Sequence, residues 1–228
     1  RYTCQLGKEI GDPFYSSSSS STSSNRNNTT EDEKKEDKEE IKEEQKEETT
    51  KKTFTETTFA DVKKDDWHYE SVKYVYENNL MQGTDNGFEP ESKMSRAMLV
   101  TVLYRMENPD ITDAENKFAD VPDGEWYTEA VIWAETNGIV TGVSETEFAP
   151  NENVTREQMA TILYRYAKTK GYTLDTATDL SVFTDINEIS RFAIDAIRWA
   201  NKTELVNGTS ETMLSPKATA TRAQVAAI

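Results

Sequence analysis

The sequence predicts an all-α domain of three tandem helix-loop-helix repeats, preceded by a charged linker with no core of its own. Three observations carry that expectation. An aromatic-x-acidic-aliphatic motif recurs at Phe59, Phe118 and Phe183, at offsets of 59 and 65 residues. Each recurrence opens two stretches of apolar residues at helical spacing, joined through a Gly-centred loop. All four Trp lie beyond residue 53, whereas Ile41 is the single aliphatic residue between residues 16 and 48.

Taken in chain order, residues 1–15 read as the tail of a preceding domain. Residues 16–52 read as a disordered Ser/Thr and Glu/Lys linker. Its Glu31–Glu48 run holds 11 acidic residues and 5 Lys, a net charge of 5 − 11 = −6. Pairs such as Glu31–Lys35 support isolated helical turns. Such a segment buries too little apolar surface to offset the entropy of ordering, so a solvated spacer is expected.

Repeat 1 is placed at residues 53–112, repeat 2 at 113–176 and repeat 3 at 177–228. In repeat 2, Tyr127, Ala130, Val131 and Ala134 form a stripe at i, i+3, i+4, i+7. The matching stripes are Ala193, Ala196, Ile197 and Ala200, and the weaker His68, Ser71, Val72 and Val75. The first helices end at Asn78-Asn79, Asn137-Gly138 and Thr203-Glu204. An aliphatic pair and a glycine follow: Gly83, Gly142 and Gly208. Next comes an apolar residue two places before a proline, in Phe88/Pro90, Phe148/Pro150 and Leu214/Pro216. The second helix then starts at Ser95-Arg96, Thr155-Arg156 and Thr221-Arg222. Its stripe is Leu99, Val102, Leu103, Met106 in repeat 1 and Met159, Ile162, Leu163, Tyr166 in repeat 2. One unit alone has too little core; stacked units share one. Phe59, Phe118 and Phe183 are expected to plug that core. The chain stops at Ile228 inside a helical pattern, about half a helix short of repeat 2. It therefore reads as a fragment whose third repeat is weakened.

Composition excludes several chemistries. The chain has 228 residues, with 26 Lys+Arg against 42 Asp+Glu and a net charge of −16. That field repels phosphate backbones, so nucleic acid is not an expected partner. No apolar run reaches the roughly 20 residues that cross a bilayer, so no membrane insertion is expected. One His (His68) and one Cys (Cys4) cannot close a zinc site or form a disulfide framework. No metal and no cofactor are expected. His68 reads as a half-exposed packing residue, and Trp133 and Trp199 as core or inter-repeat packing rather than sugar-stacking residues.

The arginines are more informative. Ser95, Thr155 and Thr221 look like N-caps, and Gln158 and Gln224 complete capping boxes in repeats 2 and 3. Each Arg then occupies the first helical position, where a cation opposes the helix dipole by roughly 0.3–1 kcal/mol if exposed. A guanidinium fork beside free helix N–H groups suits a carboxylate. The competing reading is an internal salt bridge from Arg96, Arg156 or Arg222 to Asp61, Asp120 or Asp185 of its own or a neighbouring repeat. The sequence leaves these two open. On the carboxylate reading, Arg156→Ala loses binding with little loss of melting temperature.

The F-x-D-V/I motif, Trp67 and Trp126 at the first-helix start, the loop glycine, the F-x-P loop and the [ST]-R helix start resemble the S-layer homology family, over residues 53–228. The resemblance implies a three-pronged, pseudo-threefold helical body with grooves between prongs. It implies a non-catalytic module that holds an exported or surface-layer protein at the bacterial cell wall, where self-assembly in a surface layer also fits. The implied partner is secondary cell wall polysaccharide bearing pyruvate-ketal sugars. The implied ligand residues are Arg96, Arg156 and Arg222 for the ketal carboxylate, Asp61, Asp120 and Asp185, the aromatics Trp67 and Trp126, and Gly83, Gly142 and Gly208. Sugar rings stack on exposed aromatics, although packing fits Trp67 and Trp126 equally well. The chain departs from the family where Met98, Gln158 and Gln224 replace a preferred acid. It departs again where Phe192 stands near the third entrance aromatic after one extra residue.

Other classes remain. A glycoside hydrolase needs two carboxylates in one cleft. Here the Asp residues sit at equivalent places in different repeats, so any such enzyme is expected outside this segment. A protein-protein module is the third reading.

Overall fold

The computed structural model describes residues 52–111 and 114–228. The expectations for the tail at 1–15 and for the linker up to residue 51 lie outside the described residues. So does the 112/113 boundary between the first two repeats.

Among the described residues six α-helices form: α1 Tyr69–Glu77, α2 Arg96–Glu107, α3 Thr128–Thr136, α4 Arg156–Thr169, α5 Ile194–Lys202 and α6 Arg222–Ala226. Two 3₁₀ turns, Ile186–Glu188 and Arg191–Ala193, precede α5. Among the described residues there are no β-strands, only isolated antiparallel bridges. The all-α expectation holds, with one helix pair per repeat.

Local chemistry sets the helix ends. The hydroxyls of Ser95, Thr155 and Thr221 accept from the amides of Met98, Gln158 and Gln224 at 3.2, 3.3 and 3.3 Å. The side chains of Gln158 and Gln224 accept from the cap amides, which completes the box in repeats 2 and 3. Met98 has no acceptor, so repeat 1 keeps half of it. The first helices stop one residue beyond the C-cap, at Asn79, Gly138 and Glu204, with φ of 58°, 66° and 60°. The reversal lets Leu80, Ile139 and Leu205 donate back to Val75, Ala134 and Ala200, all at 2.8 Å. Asn and Gly tolerate the left-handed region; Glu204 does not, so repeat 3 ends its first helix under strain.

The stripes read from the sequence face the core, and Phe59, Phe118 and Phe183 are buried with them. Met106 is the exception, at the exposed end of α2. Trp133 of repeat 2 packs edge-on against Tyr104 of repeat 1 at 5.9 Å, and Trp199 of repeat 3 against Tyr164 of repeat 2 at 5.7 Å. Both are therefore inter-repeat contacts. Tyr74, the matching residue of α1, remains half-exposed.

Backbone hydrogen bonds join the repeats in a closed cycle. The residue two before each second helix takes part: Met94 N–H donates to Ala220 O, Ala220 N–H to Val154 O, and Val154 N–H to Met94 O, each at 2.9 Å. The opening amides of the second helices are spent the same way. Arg96 and Ala97 donate to Glu152 and Pro150, Arg156 and Glu157 to Ala218 and Pro216, and Arg222 and Ala223 to Ser92 and Pro90, at 2.8–3.0 Å. These donors have no intrahelical partner, and the next repeat supplies one. The expectation of free helix N–H groups beside each Arg is therefore corrected.

His68 also differs from expectation. It is buried rather than half-exposed, at the place Tyr127 holds in repeat 2, and neither ring nitrogen makes a hydrogen bond. Its nearest acid is Asp66, with Nε2 3.8 Å from Oδ2.

Candidate functional site

Each site is composite, made from the second helix of one repeat and the loops of the next. Asp61, Asp120 and Asp185 build the loop half. Each carboxylate accepts two consecutive backbone N–H groups from the F-x-P loop of its own repeat. Asp61 takes Phe88 and Glu89 at 2.9 and 2.6 Å, Asp120 takes Phe148 and Ala149 at 2.8 and 2.7 Å, and Asp185 takes Leu214 and Ser215 at 2.9 and 2.7 Å. The second donor in each pair is left-handed, with φ of 56°, 58° and 55°. Such backbone persists only where its surroundings fix it, and here a carboxylate does so. Burial pushes the Asp185 carboxyl up, but the amides of Leu214 and Ser215 and the nearby charge of Arg156 outweigh it, so the group sits below its ordinary value.

Gly83, Gly142 and Gly208 are needed for close approach. A Cβ on them would lie 2.2, 2.7 and 2.7 Å from Cε1 of Phe59, Phe118 and Phe183, and would also crowd loop carbonyls. The motif Phe therefore seats against the loop only because the side chain is missing.

The arginines cross from the preceding repeat. Arg96 Nε donates to Phe148 O at 2.9 Å and Nη2 to Thr141 O at 3.0 Å. Arg156 donates from the same two atoms to Leu214 O, at 3.1 Å, and to Asn207 O. Arg222 donates to Phe88 O at 2.8 Å and to Gln82 O at 2.6 Å. Nη1 hydrogen bonds to no described residue. The guanidinium carbons of Arg96 and Arg222 stack over the rings of Phe148 and Phe88 at 4.6 and 4.7 Å. Relative exposures are only 7%, 5% and 7% for Arg96, Arg156 and Arg222. Burial lowers all three pKa values, while Asp120, Asp185 and Asp61 raise those of Arg96, Arg156 and Arg222.

Neither sequence reading of the arginines matches this geometry fully. No ion pair within 4 Å joins them to the three Asp among the described residues; the direct partners are backbone carbonyls. Each Arg faces the Asp of the following repeat, so Arg96 groups with Asp120 and Gly142, Arg156 with Asp185 and Gly208, and Arg222 with Asp61 and Gly83. The geometry predicts instead that Arg156→Ala costs stability, because buried carbonyls would lose charge-assisted donors.

Trp67 and Trp126 stand at the first-helix entrances, 50% and 55% exposed. Phe192 is 58% exposed and holds the same place in repeat 3 once the extra residue is allowed for. It was missing from the expected site because the insertion shifts it, although the run-in to Ala193 signals the alignment. Arg165 also lies here, although the repeated Tyr104-Arg105 and Tyr164-Arg165 pairs read in the sequence as apolar cover with Glu neighbours. Its Nη1 lies 3.5 Å from Thr141 Oγ1, beside the carbonyl that Arg96 holds. Among the described residues no group of three His, Cys, Asp or Glu could hold a metal. No helix among them is long and apolar enough to cross a membrane.

The model of the S-layer homology domain matches residues 58–97, 117–160 and 182–226. An endoglucanase of Bacillus sp. (strain KSM-635) is 34% identical over 171 residues, covering 75% of this chain and 18% of that protein. An amylopullulanase of Thermoanaerobacterium thermosulfurigenes is 30% identical, covering 76% of this chain and 9% of the relative. The S-layer protein sap of Bacillus anthracis is 33% identical, covering 58% of this chain and 16% of the relative. The chain thus spans less than a fifth of the length of each. With the thrice-repeated Asp clamp, close-approach glycine and crossing arginine all falling in the matched segments, the chain belongs to the S-layer homology domain family.

Proposed function

We propose that residues 53–228 are a non-catalytic anchor that holds a larger exported protein at the bacterial cell wall by gripping secondary cell wall polysaccharide. The ligand groups are pyruvate-ketal carboxylates on the polymer. The three repeats form a pseudo-threefold, three-pronged body, and a notch lies at each junction between repeats. The cyclic pattern of backbone bonds among Met94, Val154 and Ala220 supports that arrangement.

The observation that carries the reading is the guanidinium placed three times against the loops of the next repeat, whose first helix is preceded by an exposed aromatic. Two nitrogens of each guanidinium, Nε and Nη2, are held by backbone carbonyls, which preorganises the group. The remaining Nη1 edge suits a carboxylate, and the aromatic suits the apolar face of a sugar ring. This lets an acidic chain bind an acidic polymer through local cationic notches. Relatives named as an endoglucanase, an amylopullulanase and surface-layer proteins support an anchor shared by different cargoes.

The test is co-sedimentation of the purified chain with native cell wall sacculi before and after the non-peptidoglycan polymer is extracted. Binding should survive protease treatment of the sacculi and vanish with the polymer. Binding lost to protease would identify a protein partner instead. Release of soluble sugar from the sacculi would contradict the non-catalytic reading.

A further inference from the structure

We propose that the three notches are unequal, that the one between repeats 1 and 2 is the principal anion site, and that Arg165 is its second carboxylate-binding residue. This rests on the anchoring reading and specifies where the anion sits.

Two guanidiniums from different repeats converge on Thr141. Arg96 Nη2 donates to its carbonyl at 3.0 Å, and Arg165 Nη1 lies 3.5 Å from its hydroxyl oxygen. Gly142 follows at once, so no side chain intrudes beyond Thr141. Arg165 is only half-buried and its contact to Thr141 is long, so it is free to turn toward a ligand. The two like charges act on each other: burial and then Arg165 lower the Arg96 pKa, against a raising effect from Asp120. Asp120 is already committed to the amides of Phe148 and Ala149. Two cations thus face one engaged carboxylate. A planar anion bridging both forks would relieve the repulsion.

The other notches lack this imbalance. Arg222 faces two acids, Glu89 and Asp61. Glu89 stands where repeats 2 and 3 have Ala149 and Ser215. Arg105, the counterpart of Arg165, is committed to Leu80 O at 3.1 Å. At the Arg156 junction the chain supplies its own carboxylate. Glu157 is buried where the other repeats have Ala97 and Ala223, and it accepts from the Ser190 amide at 2.8 Å, the Ser190 hydroxyl at 2.9 Å and the Lys217 ammonium. Ser190 precedes the Phe192 entrance and Lys217 follows Pro216, so this bridge straps the two loops of repeat 3 to α4. Donors that an incoming anion would need there are already taken.

The experiment titrates the full chain with a methyl hexoside carrying a pyruvate ketal, followed by backbone amide and indole N–H shifts. The Thr141 and Gly142 amides and the Trp126 indole should saturate first, at roughly one-tenth of the concentration needed at Gly83 or Gly208. Arg165→Gln should weaken that first site about tenfold with an unchanged melting temperature, and Arg165→Lys should recover only part, because the fork is lost. Three equal sites, or an Arg165→Gln chain that binds like the parent, would overturn the inference and leave anchoring intact. Absence of shifts at all three junctions would overturn the anion reading itself, and this inference with it.

Discussion

Replacing Arg96 with Ala removes more than a ligand contact. The side chain is buried and donates to two carbonyls, Phe148 O and Thr141 O, while its guanidinium covers the Phe148 ring. A hydrogen bond from a charged donor contributes about 1.5–3 kcal/mol, and neither carbonyl accepts from a second described group. Two such bonds give a loss of about 3–6 kcal/mol, a large share of the 5–15 kcal/mol typical of a folded domain. At about 2–4 °C per kcal/mol for a domain of this size, the melting temperature should fall by roughly 10 °C. Arg96→Lys keeps the charge but has one nitrogen for two acceptors, so its loss should be about half. Circular dichroism melts of the three proteins at neutral pH read this directly. A melting temperature for Arg96→Ala within 2 °C of the parent, at the precision of such melts, would refute the reasoning, because it would mean that the carbonyls do not depend on the guanidinium. Binding by these variants should be measured well below their melting temperatures, so that loss of fold and loss of ligand are read separately.

Three further outcomes are expected. Glu204→Gly should raise stability by about 1 kcal/mol in urea melts, since glycine relieves the left-handed residue that ends α5; Gly138→Ala at the equivalent place should lose a similar amount. His68→Phe should stabilise by about 1 kcal/mol or more, because it replaces a buried ring with two unpartnered nitrogens by an apolar one; a loss would show that the imidazole has a partner in solution. Asp185 has a folded pKa below its unfolded one, so its contribution is full above about pH 4 and disappears as pH falls through the lower folded value. Asp185→Asn should therefore lower stability at neutral pH and flatten its dependence on pH below 4; an unchanged acid limb would remove this role.

Much of the fold was legible because its signals are local and repeated. Helix stripes such as Tyr127-Ala130-Val131-Ala134 need only a period, and the boxes of Thr155 with Gln158 and Thr221 with Gln224 need only a spacing of three. Phe59, Phe118 and Phe183 were legible as core because large aromatics recurred in register. The partners of the arginines were not legible. They depend on how the three repeats close on one another, and Arg222 reaches a carbonyl 134 residues away. The sequence offered an ion pair between residues such as Arg96 and Asp120, yet each is satisfied by backbone, whose groups have no sequence signature. The burial of His68 was hidden for a similar reason, since only comparison with Tyr127 marks the position as enclosed.

The central claim is that guanidiniums at the repeat junctions hold ketal carboxylates of the wall polymer. The most direct measurement is calorimetric binding of the chain to purified wall polysaccharide before and after mild acid removes its pyruvate ketals. Tight binding to the intact polymer and at least a hundredfold weakening after removal are expected, from two or more charge-assisted contacts. Equal affinity for both polymers would contradict the account.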